Sequence, residues 1–422
     1  MTTSHKKKTM IESRNLSGLS ANTSGWAADS LNKSETLTTS LNTENSDSYL
    51  GVRSSSQQIP TDLLGESPIG TGNPNPNPYL TSAAVAPDFN ADGKVDKFWV
   101  NTQTGEILLR LMDGTKTMEQ GSLGQYDLTA YDYKIADFNS DGKTDFLLRD
   151  KTTGQNTIAL MDGVRVASVA SLDKVDPNWT ASIGDFNSDR KTDIFWHNAE
   201  TGQNAIWQMD GTTVTSATVL DNTDVALAPT IVDFDGNGKS DVFWRNTTTG
   251  ENSVWFMDGT QATNYALQSQ DAAWTYKLGD FNGDFKTDIL WNNSQTGENK
   301  IWNMNGIFVT EGALQTLDST WTSSIGDYNG DGKTDIFWHN TTSGENSAWL
   351  MDGTTVSSEA FLPSNSASLT PSFGDFNNDG KTDIYWRDQQ TGADTIWTMD
   401  GTKATETAVA DADKLTPEWY TA

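Results

Sequence analysis

The chain has 422 residues, of which 57 are acidic and 28 are basic, so its formal net charge is −29. This charge repels nucleic acid phosphates and anionic membrane surfaces, so we expect neither as a primary partner. Cysteine is absent, which excludes disulfides, thiolate metal ligands and a cysteine nucleophile. No apolar run reaches the roughly 18 residues that a membrane-spanning helix needs, so we expect no membrane insertion.

The first 78 residues differ in composition from the rest of the chain. They are rich in Ser, Thr and Asn and show no strand or helix periodicity, which predicts a disordered tail. Alternating Asn and Pro over residues 73–78 predict an extended linker, so one domain is expected at 79–422. A basic patch at Lys6–Lys8 is not followed by an apolar segment, so no standard secretory signal is visible.

Three markers repeat seven times beyond the linker, at spacings of 47 to 49 residues. The first is an acidic nonapeptide that begins at Asp88, Asp137, Asp185, Asp233, Asp280, Asp327 and Asp375. The second is a Thr-Gly or Ser-Gly step, and the third is Met-Asp-Gly, which becomes Met-Asn-Gly in the fifth copy. Such a period is typical of propellers and solenoids.

Between the markers, apolar and polar residues alternate as in β-strands, for example in Thr192–His197. Gly after a polar stretch and Asp-Gly between two strands both predict hairpins. The pattern of each unit therefore predicts four antiparallel strands. Seven such units predict an all-β, seven-bladed β-propeller of four-stranded blades. The alternative is an open solenoid of the same hairpins. Residues 417–422 resemble the first strand of a blade, so we expect them to complete the first blade, in competition with residues 79–86.

Tryptophan recurs at two fixed places in each unit. Six units carry Trp in the second strand and five in the third. Large rings at fixed places on twisted sheets fill the space between radially packed blades, so we expect most of them in the inter-blade core. A closed propeller explains this recurrence better than an open solenoid does.

The nonapeptide carries oxygen-bearing side chains at positions 1, 3, 5 and 9, the spacing of a calcium loop, with a backbone carbonyl available at position 7. Gly at position 6 permits the sharp turn. Position 12 lacks the bidentate Glu of an EF-hand, so the loop joins two strands rather than two helices. The alternative is that these loops are solvated acidic turns without metal.

We therefore predict about five to seven Ca²⁺ ions. The weakest sites are expected in the loops beginning at Asp185 and Asp280, where Arg190 and Phe285 replace Gly at position 6. The predicted metal-binding residues, at positions 1, 3, 5, 7 and 9 of each copy, are Asp88, Asn90, Asp92, Lys94, Asp96, Asp137, Asn139, Asp141, Lys143, Asp145, Asp185, Asn187, Asp189, Lys191, Asp193, Asp233, Asp235, Asn237, Lys239, Asp241, Asp280, Asn282, Asp284, Lys286, Asp288, Asp327, Asn329, Asp331, Lys333, Asp335, Asp375, Asn377, Asp379, Lys381 and Asp383.

These nonapeptides, followed by runs such as Thr192-Asp193-Ile194-Phe195-Trp196, resemble FG-GAP/VCBS repeats over residues ~80–415. The resemblance implies a calcium-binding propeller similar to the one at the head of integrin α subunits, and also to fungal and bacterial propeller lectins. The resemblance implies the propeller fold and the bound calcium more strongly than it implies the identity of a ligand.

Polar residues follow the second-strand tryptophans, and an aromatic ring beside polar groups suits a sugar. The candidate ligand-binding residues are Trp196, His197, Asn198, Trp244, Arg245, Trp338, His339, Asn340, Trp386 and Arg387. The alternative is that the polar residues cap strand ends and satisfy the following turn. No unique acid, base or nucleophile interrupts the repetition, so we expect no catalytic residues.

Three functions follow, in order of preference. The first is an extracellular or cell-surface protein-interaction or adhesion module, the second is a multivalent lectin with sites between blades, and the third is an enzyme with a cryptic site. Loops without a bidentate Glu suit the weak calcium affinities, ~10⁻⁴ to 10⁻³ M, of extracellular modules. The partner is therefore expected to be a protein or a glycan.

Overall fold

The computed structural model describes residues 87–126, 130–409 and 415–421. The predicted tail, its boundary at residue 78 and the segment 79–86 lie outside these ranges. Within the described ranges, no helix is long and apolar enough to cross a membrane.

The described chain folds into β-strands, numbered here in chain order. They are β1 (Lys97–Asn101), β2 (Glu106–Asp113), β3 (Lys116–Gln125), β4 (Tyr131–Ala136), β5 (Asp145–Asp150), β6 (Asn156–Asp162), β7 (Arg165–Leu172), β8 (Trp179–Gly184), β9 (Asp193–Asn198), β10 (Gln203–Asp210), β11 (Thr213–Leu220), β12 (Leu227–Val232), β13 (Asp241–Asn246), β14 (Asn252–Asp258), β15 (Gln261–Leu267), β16 (Trp274–Gly279), β17 (Asp288–Asn293), β18 (Asn299–Asn305), β19 (Phe308–Leu314), β20 (Trp321–Gly326), β21 (Asp335–Asn340), β22 (Asn346–Asp352), β23 (Thr355–Leu362), β24 (Leu369–Gly374), β25 (Asp383–Asp388), β26 (Asp394–Asp400), β27 (Lys403–Ala408) and β28 (Trp419–Thr421).

The strands form seven four-stranded antiparallel sheets, which are the blades of the propeller. Blades 2 to 7 contain consecutive strands, from β4–β7 to β24–β27. Blade 1 has the order β28-β1-β2-β3, and the C-terminal strand pairs with β1 at Val100↔Tyr420 and Asn101↔Trp419. The expected seven-bladed fold and the return of the C-terminal segment to the first blade are both confirmed.

Each blade follows the predicted order of strands and turns. In blades 2 to 7 an acidic loop joins the first strand to the second, whereas in blade 1, whose first strand is the C-terminal β28, the acidic loop precedes β1. A Thr-Gly or Ser-Gly turn joins the second strand to the third, and an Asp-Gly turn, or Asn-Gly in blade 5, joins the third to the fourth. Glycine is required at the Asp-Gly turns because its φ is positive there, for example 63° at Gly163 and 59° at Gly211. The second strands are buried almost throughout, whereas the fourth strands are largely exposed.

The hydrophobic core lies between neighbouring blades. In one such cluster, Leu147 and Ile158 of blade 2 pack with Ile194, Trp196 and Trp207 of blade 3. The second- and third-strand tryptophans of a blade also pack against each other, with ring centroids 5.0 to 5.3 Å apart in five blades. Such aromatic pairs contribute about 0.5–1.5 kcal/mol beyond their buried area. The expected inter-blade role of these rings is confirmed.

One buried arginine links blade 7 to the returning C-terminal segment. Arg387 Nη2 donates hydrogen bonds to the carbonyl oxygens of Thr416 (2.8 Å) and Trp419 (3.2 Å), and its Nη1 contacts both carboxylate oxygens of Asp394 at 3.0 Å. The guanidinium also lies 4.8 Å from the ring centroid of Trp99 in blade 1. Arg387 therefore holds together the two ends of the ring.

Replacing Arg387 with Gln should lower the free energy of unfolding by about 3 kcal/mol, because Asp394 would lose the buried guanidinium that contacts both of its carboxylate oxygens. Arg165→Gln is the control, since that side chain is 82% exposed and lies 3.9 Å from Glu119, and it should change stability by less than about 0.5 kcal/mol. Urea unfolding measures both. An Arg387 variant as stable as the control would contradict this role in ring closure.

Candidate metal centre

The seven acidic loops lie at one end of the propeller and are hydrogen-bonded to one another in a continuous ring. The residue at position 8 of each loop contacts position 1 of the preceding loop: Thr144 N donates to Asp88 O at 2.8 Å, and Thr144 Oγ1 accepts from Asp88 N at 2.9 Å. The same two contacts link Ser240 to Asp185, Thr287 to Asp233, Thr334 to Asp280 and Thr382 to Asp327. Thr192 Oγ1 instead donates to Asp137 O, and Val95, which has no hydroxyl, donates its backbone N–H to Asp375 O. A shift in one loop is therefore transmitted to its neighbours.

Six of the loops are also fixed by the blade that follows them. In these, the glycine of the Met-Asp-Gly or Met-Asn-Gly turn donates its backbone N–H to the carbonyl at position 2 of the preceding loop, as in Gly163 N to Phe89 O at 2.9 Å. The aromatic side chain at position 2 is fully buried in all seven copies. The loops are thus anchored in the inter-blade core, although their other side reaches solvent.

Within a loop, the backbone wraps around the side-chain oxygens of positions 1, 3 and 5. In loop 1, which begins at Asp88, the Asp88 carboxylate accepts from the N–H groups of Asp92 (3.2 Å) and Gly93 (2.8 Å). Asn90 Oδ1 accepts from Asp92 N, and Asp92 Oδ1 accepts from Lys94 N. These bonds fix the orientation of the side chains at alternate positions of the loop.

The aspartate at position 9 is buried and has a structural role that the sequence did not indicate. Asp96 Oδ2 accepts from Phe89 N at 2.8 Å, and its Oδ1 accepts from Met112 N at 2.9 Å. The same pair of bonds occurs in the other six copies, at Asp145, Asp193, Asp241, Asp288, Asp335 and Asp383. Position 9 therefore ties the loop to the end of the third strand.

Burial makes the charged form of these carboxyl groups unfavourable. Desolvation, with a smaller contribution from the neighbouring loop aspartates, raises the pKa of Asp96 to about 7 and that of Asp335 to about 8. The pKa values are also raised by burial at the other position-9 residues, to about 6 at Asp145, about 7 at Asp193 and Asp383, and about 8 at Asp241 and Asp288. Burial likewise raises the pKa of the position-1 aspartates.

The donor set fits a hard cation. In loop 4, oxygens of Asp233, Asp235 and Asp241, at positions 1, 3 and 9, all lie within 4.8 Å of one another. Among the described residues this is the one group of three acidic side chains that meet so closely, since position 3 is Asp in this copy and Asn in the others. In every loop all the offered atoms are oxygens, which Ca²⁺ prefers. A bound cation would neutralise carboxylates that burial otherwise disfavours.

Position 6 of the loop has a left-handed backbone, as the glycine there predicts. Arg190 and Phe285, which replace this glycine in loops 3 and 5, have φ values of 68° and 67°. Non-glycine residues in this region are uncommon because Cβ crowds the backbone. The expected backbone strain is therefore present at these two positions, whereas the predicted ranking of their metal affinities stays a prediction.

The candidate ligand-binding residues are all buried, at 7% exposure or less. His197 and His339 lie 5.3 Å, between ring centroids, from Trp244 and Trp386 of the following blade, and Arg245 lies 4.8 Å from the Trp291 ring centroid.

The asparagines that follow these residues cap turns. Asn198 Oδ1 accepts from the N–H groups of Glu200 and Thr201, and Asn340 Oδ1 accepts from those of Thr342 and Ser343. These contacts favour the structural alternative, in which the polar residues satisfy the turns and fill the space between blades.

The fold and the repeated loops define a seven-bladed propeller with an acidic ring at one end. A family model described as an FG-GAP-like repeat matches residues 88–148, 137–196, 185–244, 233–291, 280–338 and 327–386. These matches cover more than half of the chain, and the protein belongs to the FG-GAP-like repeat family. No curated protein matches the sequence.

Several solved structures are similar to the chain at low sequence identity. A lectin of Agrocybe aegerita, described in terms of specific recognition of non-reducing terminal N-acetylglucosamine, is 14% identical, with a TM-score of 0.62 over 80% of this chain and 96% of the lectin. A post-proline cleaving enzyme from Rickettsia typhi is 10% identical, with a TM-score of 0.49 over 79% of this chain and 54% of the enzyme. A chain of a nidogen/laminin complex is 14% identical, with a TM-score of 0.34 over 63% of this chain and 92% of that one.

The raised pKa values predict how the metal-free protein responds to pH. An unfolded Asp titrates near 3.9, so the folded protein retains protons that the unfolded chain has lost. The stability from these groups is complete below about pH 4 and is lost as pH rises through about 6 to 8. In excess chelator, the melting temperature should therefore fall between about pH 5 and about pH 8. A melting temperature that stays flat or rises over this range would contradict the prediction.

Proposed function

We propose that this protein is a calcium-stabilised β-propeller that acts as a protein-interaction or adhesion module. The observation that carries the proposal is the ring of seven linked loops, each of which buries a position-9 carboxyl group with a raised pKa beside further loop carboxylates. Placing so many acidic groups together is unfavourable unless a cation neutralises them. Metal binding and folding are therefore expected to be coupled.

The residues that would hold each ion are the side chains at positions 1, 3, 5 and 9, with the backbone carbonyl of the lysine at position 7. Ca²⁺ suits this set because it accepts six to eight oxygens in flexible geometry, at ~2.3–2.6 Å, whereas Mg²⁺ demands a near-ideal octahedron. When bound, the ion supplies positive charge and cross-links the loop. It would stabilise the end of the propeller that presents the exposed side of the loops to a partner.

A binding role accounts for the repetition better than catalysis does. His197 and His339 occupy equivalent places and are buried. Their Nδ1 atoms donate hydrogen bonds to the Oδ1 atoms of Asn204 and Asn346 at 2.8 and 2.7 Å. The loop aspartates are occupied by backbone hydrogen bonds and by the proposed ions. We therefore assign no enzymatic activity to the chain and propose an extracellular or cell-surface location, where millimolar calcium is available to weak sites.

A multivalent lectin is the second candidate. The fold shared with the Agrocybe aegerita lectin supports it, and repeated weak sites would give avidity. Burial of the candidate residues between blades counts against sugar binding at those positions. A glycan array with the full chain in Ca²⁺ separates the two candidates: glycan-specific binding favours the lectin, and its absence favours a protein partner.

The proposal predicts that Ca²⁺ raises the melting temperature of the full chain relative to excess chelator, because the ion binds the folded loops and not the unfolded chain. The increase should be larger at about pH 8 than at about pH 5, since protons compete with the metal for the same oxygens. Thermal unfolding in Ca²⁺, Mg²⁺ and chelator measures this. Equal melting temperatures in Ca²⁺, Mg²⁺ and chelator would contradict calcium binding and favour the alternative, in which the loops are solvated turns without metal.

Asp331→Asn separates metal ligation from turn stability. The amide oxygen can still accept from Lys333 N, as Asp331 Oδ1 does at 2.9 Å. The variant loses one negative charge and the exposed bond that Asn329 Nδ2 donates to Asp331 Oδ2 at 3.1 Å. Without metal, the variant should be as stable as the wild type or more stable. In Ca²⁺ it should show a smaller stabilisation and a weaker affinity at one site. Asp221→Asn, which removes the same charge at an exposed position between β11 and β12, is the matched control and should retain the full calcium effect.

A further inference from the structure

The lysine at position 7 has the same partner in six of the seven loops. Its ammonium pairs with the aspartate of the Met-Asp-Gly turn in the same blade, 19 residues further along the chain. The pairs are Lys94–Asp113 (2.8 Å), Lys143–Asp162 (2.5 Å), Lys191–Asp210 (2.7 Å), Lys239–Asp258 (2.5 Å), Lys333–Asp352 (2.6 Å) and Lys381–Asp400 (2.7 Å). This partner draws the ammonium away from the carboxylates of its own loop.

Loop 5 lacks this partner because its turn reads Met304-Asn305-Gly306. Lys286 instead pairs with Asp284 of its own loop, and its Nζ lies 3.1 Å from Asp284 Oδ2. In loop 6 the corresponding oxygen, Asp331 Oδ2, accepts from the neutral amide of Asn329 at 3.1 Å. Asn305, outside the loop, stands where the other blades have Asp, and in this copy the Lys286 ammonium lies inside the loop.

Asp284 occupies position 5, which is one of the proposed calcium ligands. An ammonium on this carboxylate supplies part of the charge that a cation would supply, and it occupies an oxygen that the cation would need. It also repels a second cation at the same place. The strained left-handed backbone at Phe285, with φ of 67°, adds to the difference between loop 5 and the loops that keep Gly at position 6.

We propose that Lys286 takes the place of the metal ion in loop 5, so that the propeller binds six Ca²⁺ ions instead of seven. The inference rests on the proposed calcium-binding function of the other loops. Asn305 is the residue that distinguishes loop 5 from the other loops, because an aspartate at this position would pair with Lys286 outside the loop. Loop 5 is thus a site that the chain stabilises with its own cation, independent of the calcium concentration.

The test is the number of Ca²⁺ ions bound to the full chain at saturating calcium, measured by native mass spectrometry and by metal analysis. The wild type should bind six. Asn305→Asp should bind seven, because the new carboxylate draws Lys286 out of the loop. Lys286→Gln should also bind seven, and it provides a second route to the same result if one variant folds poorly. Asn264→Asp, which adds the same charge on the exposed fourth strand of blade 4, should bind six.

The outcomes distinguish this inference from the proposed function. Seven ions in the wild type, or an unchanged number in both the Asn305 and Lys286 variants, would overturn the role of Lys286 and leave calcium binding intact. No bound ion in any of the four proteins would overturn the proposed function itself. In excess chelator, Lys286→Gln should have a lower melting temperature than the wild type, because loop 5 loses its internal cation. An unchanged melting temperature would also count against the inference.

Discussion

The buried aspartate at position 9 of each acidic loop is the contact on which the order of each blade depends. Its two oxygens accept backbone N–H groups from two separate segments, position 2 of the loop and the methionine that precedes the Asp-Gly turn. It therefore joins the start of the second strand to the end of the third and sets how the loop lies over the blade. The same burial raises the pKa of the group, so the contact that organises the blade also creates a demand for positive charge.

The seven acidic loops are linked to one another by hydrogen bonds, so the loops are not independent. Position 8 of one loop bonds to position 1 of the one before it around the whole circle, and Val95 closes the circle with Asp375. Arg387 and strand β28 close the ring of blades in the core. A cation in one loop would therefore stabilise its neighbours as well. For this reason we regard the proposed ions as part of the architecture.

Much of this structure could be predicted from the sequence, because the repetition is strong. The spacing of the nonapeptides predicted seven blades, the alternation within each unit predicted four strands, and the likeness of residues 417–422 to a first strand predicted how the ring closes. Position 6 predicted a left-handed backbone, which Arg190 and Phe285 both adopt. These features depend on local patterns that each copy repeats.

The remaining features depend on contacts between segments that no local pattern describes. Pairing of Lys94 with Asp113 could have been inferred from their constant separation of 19 residues, yet each residue alone resembles an ordinary surface charge. His197 and Arg245 were expected near a ligand because they follow a tryptophan, but they contact the tryptophan of the following blade. Alternation along a strand predicts which face of the sheet such a side chain is on. It does not predict which residue of the neighbouring blade that side chain contacts.

The most direct test of calcium binding in the acidic loops is an anomalous difference map from crystals of the full chain grown in Ca²⁺ and measured at long wavelength. We expect peaks among the oxygens of loops 1, 2, 3, 4, 6 and 7, coordinated by positions 1, 3, 5 and 9 and by the carbonyl at position 7. A map from calcium-saturated crystals without a peak in any acidic loop would contradict it.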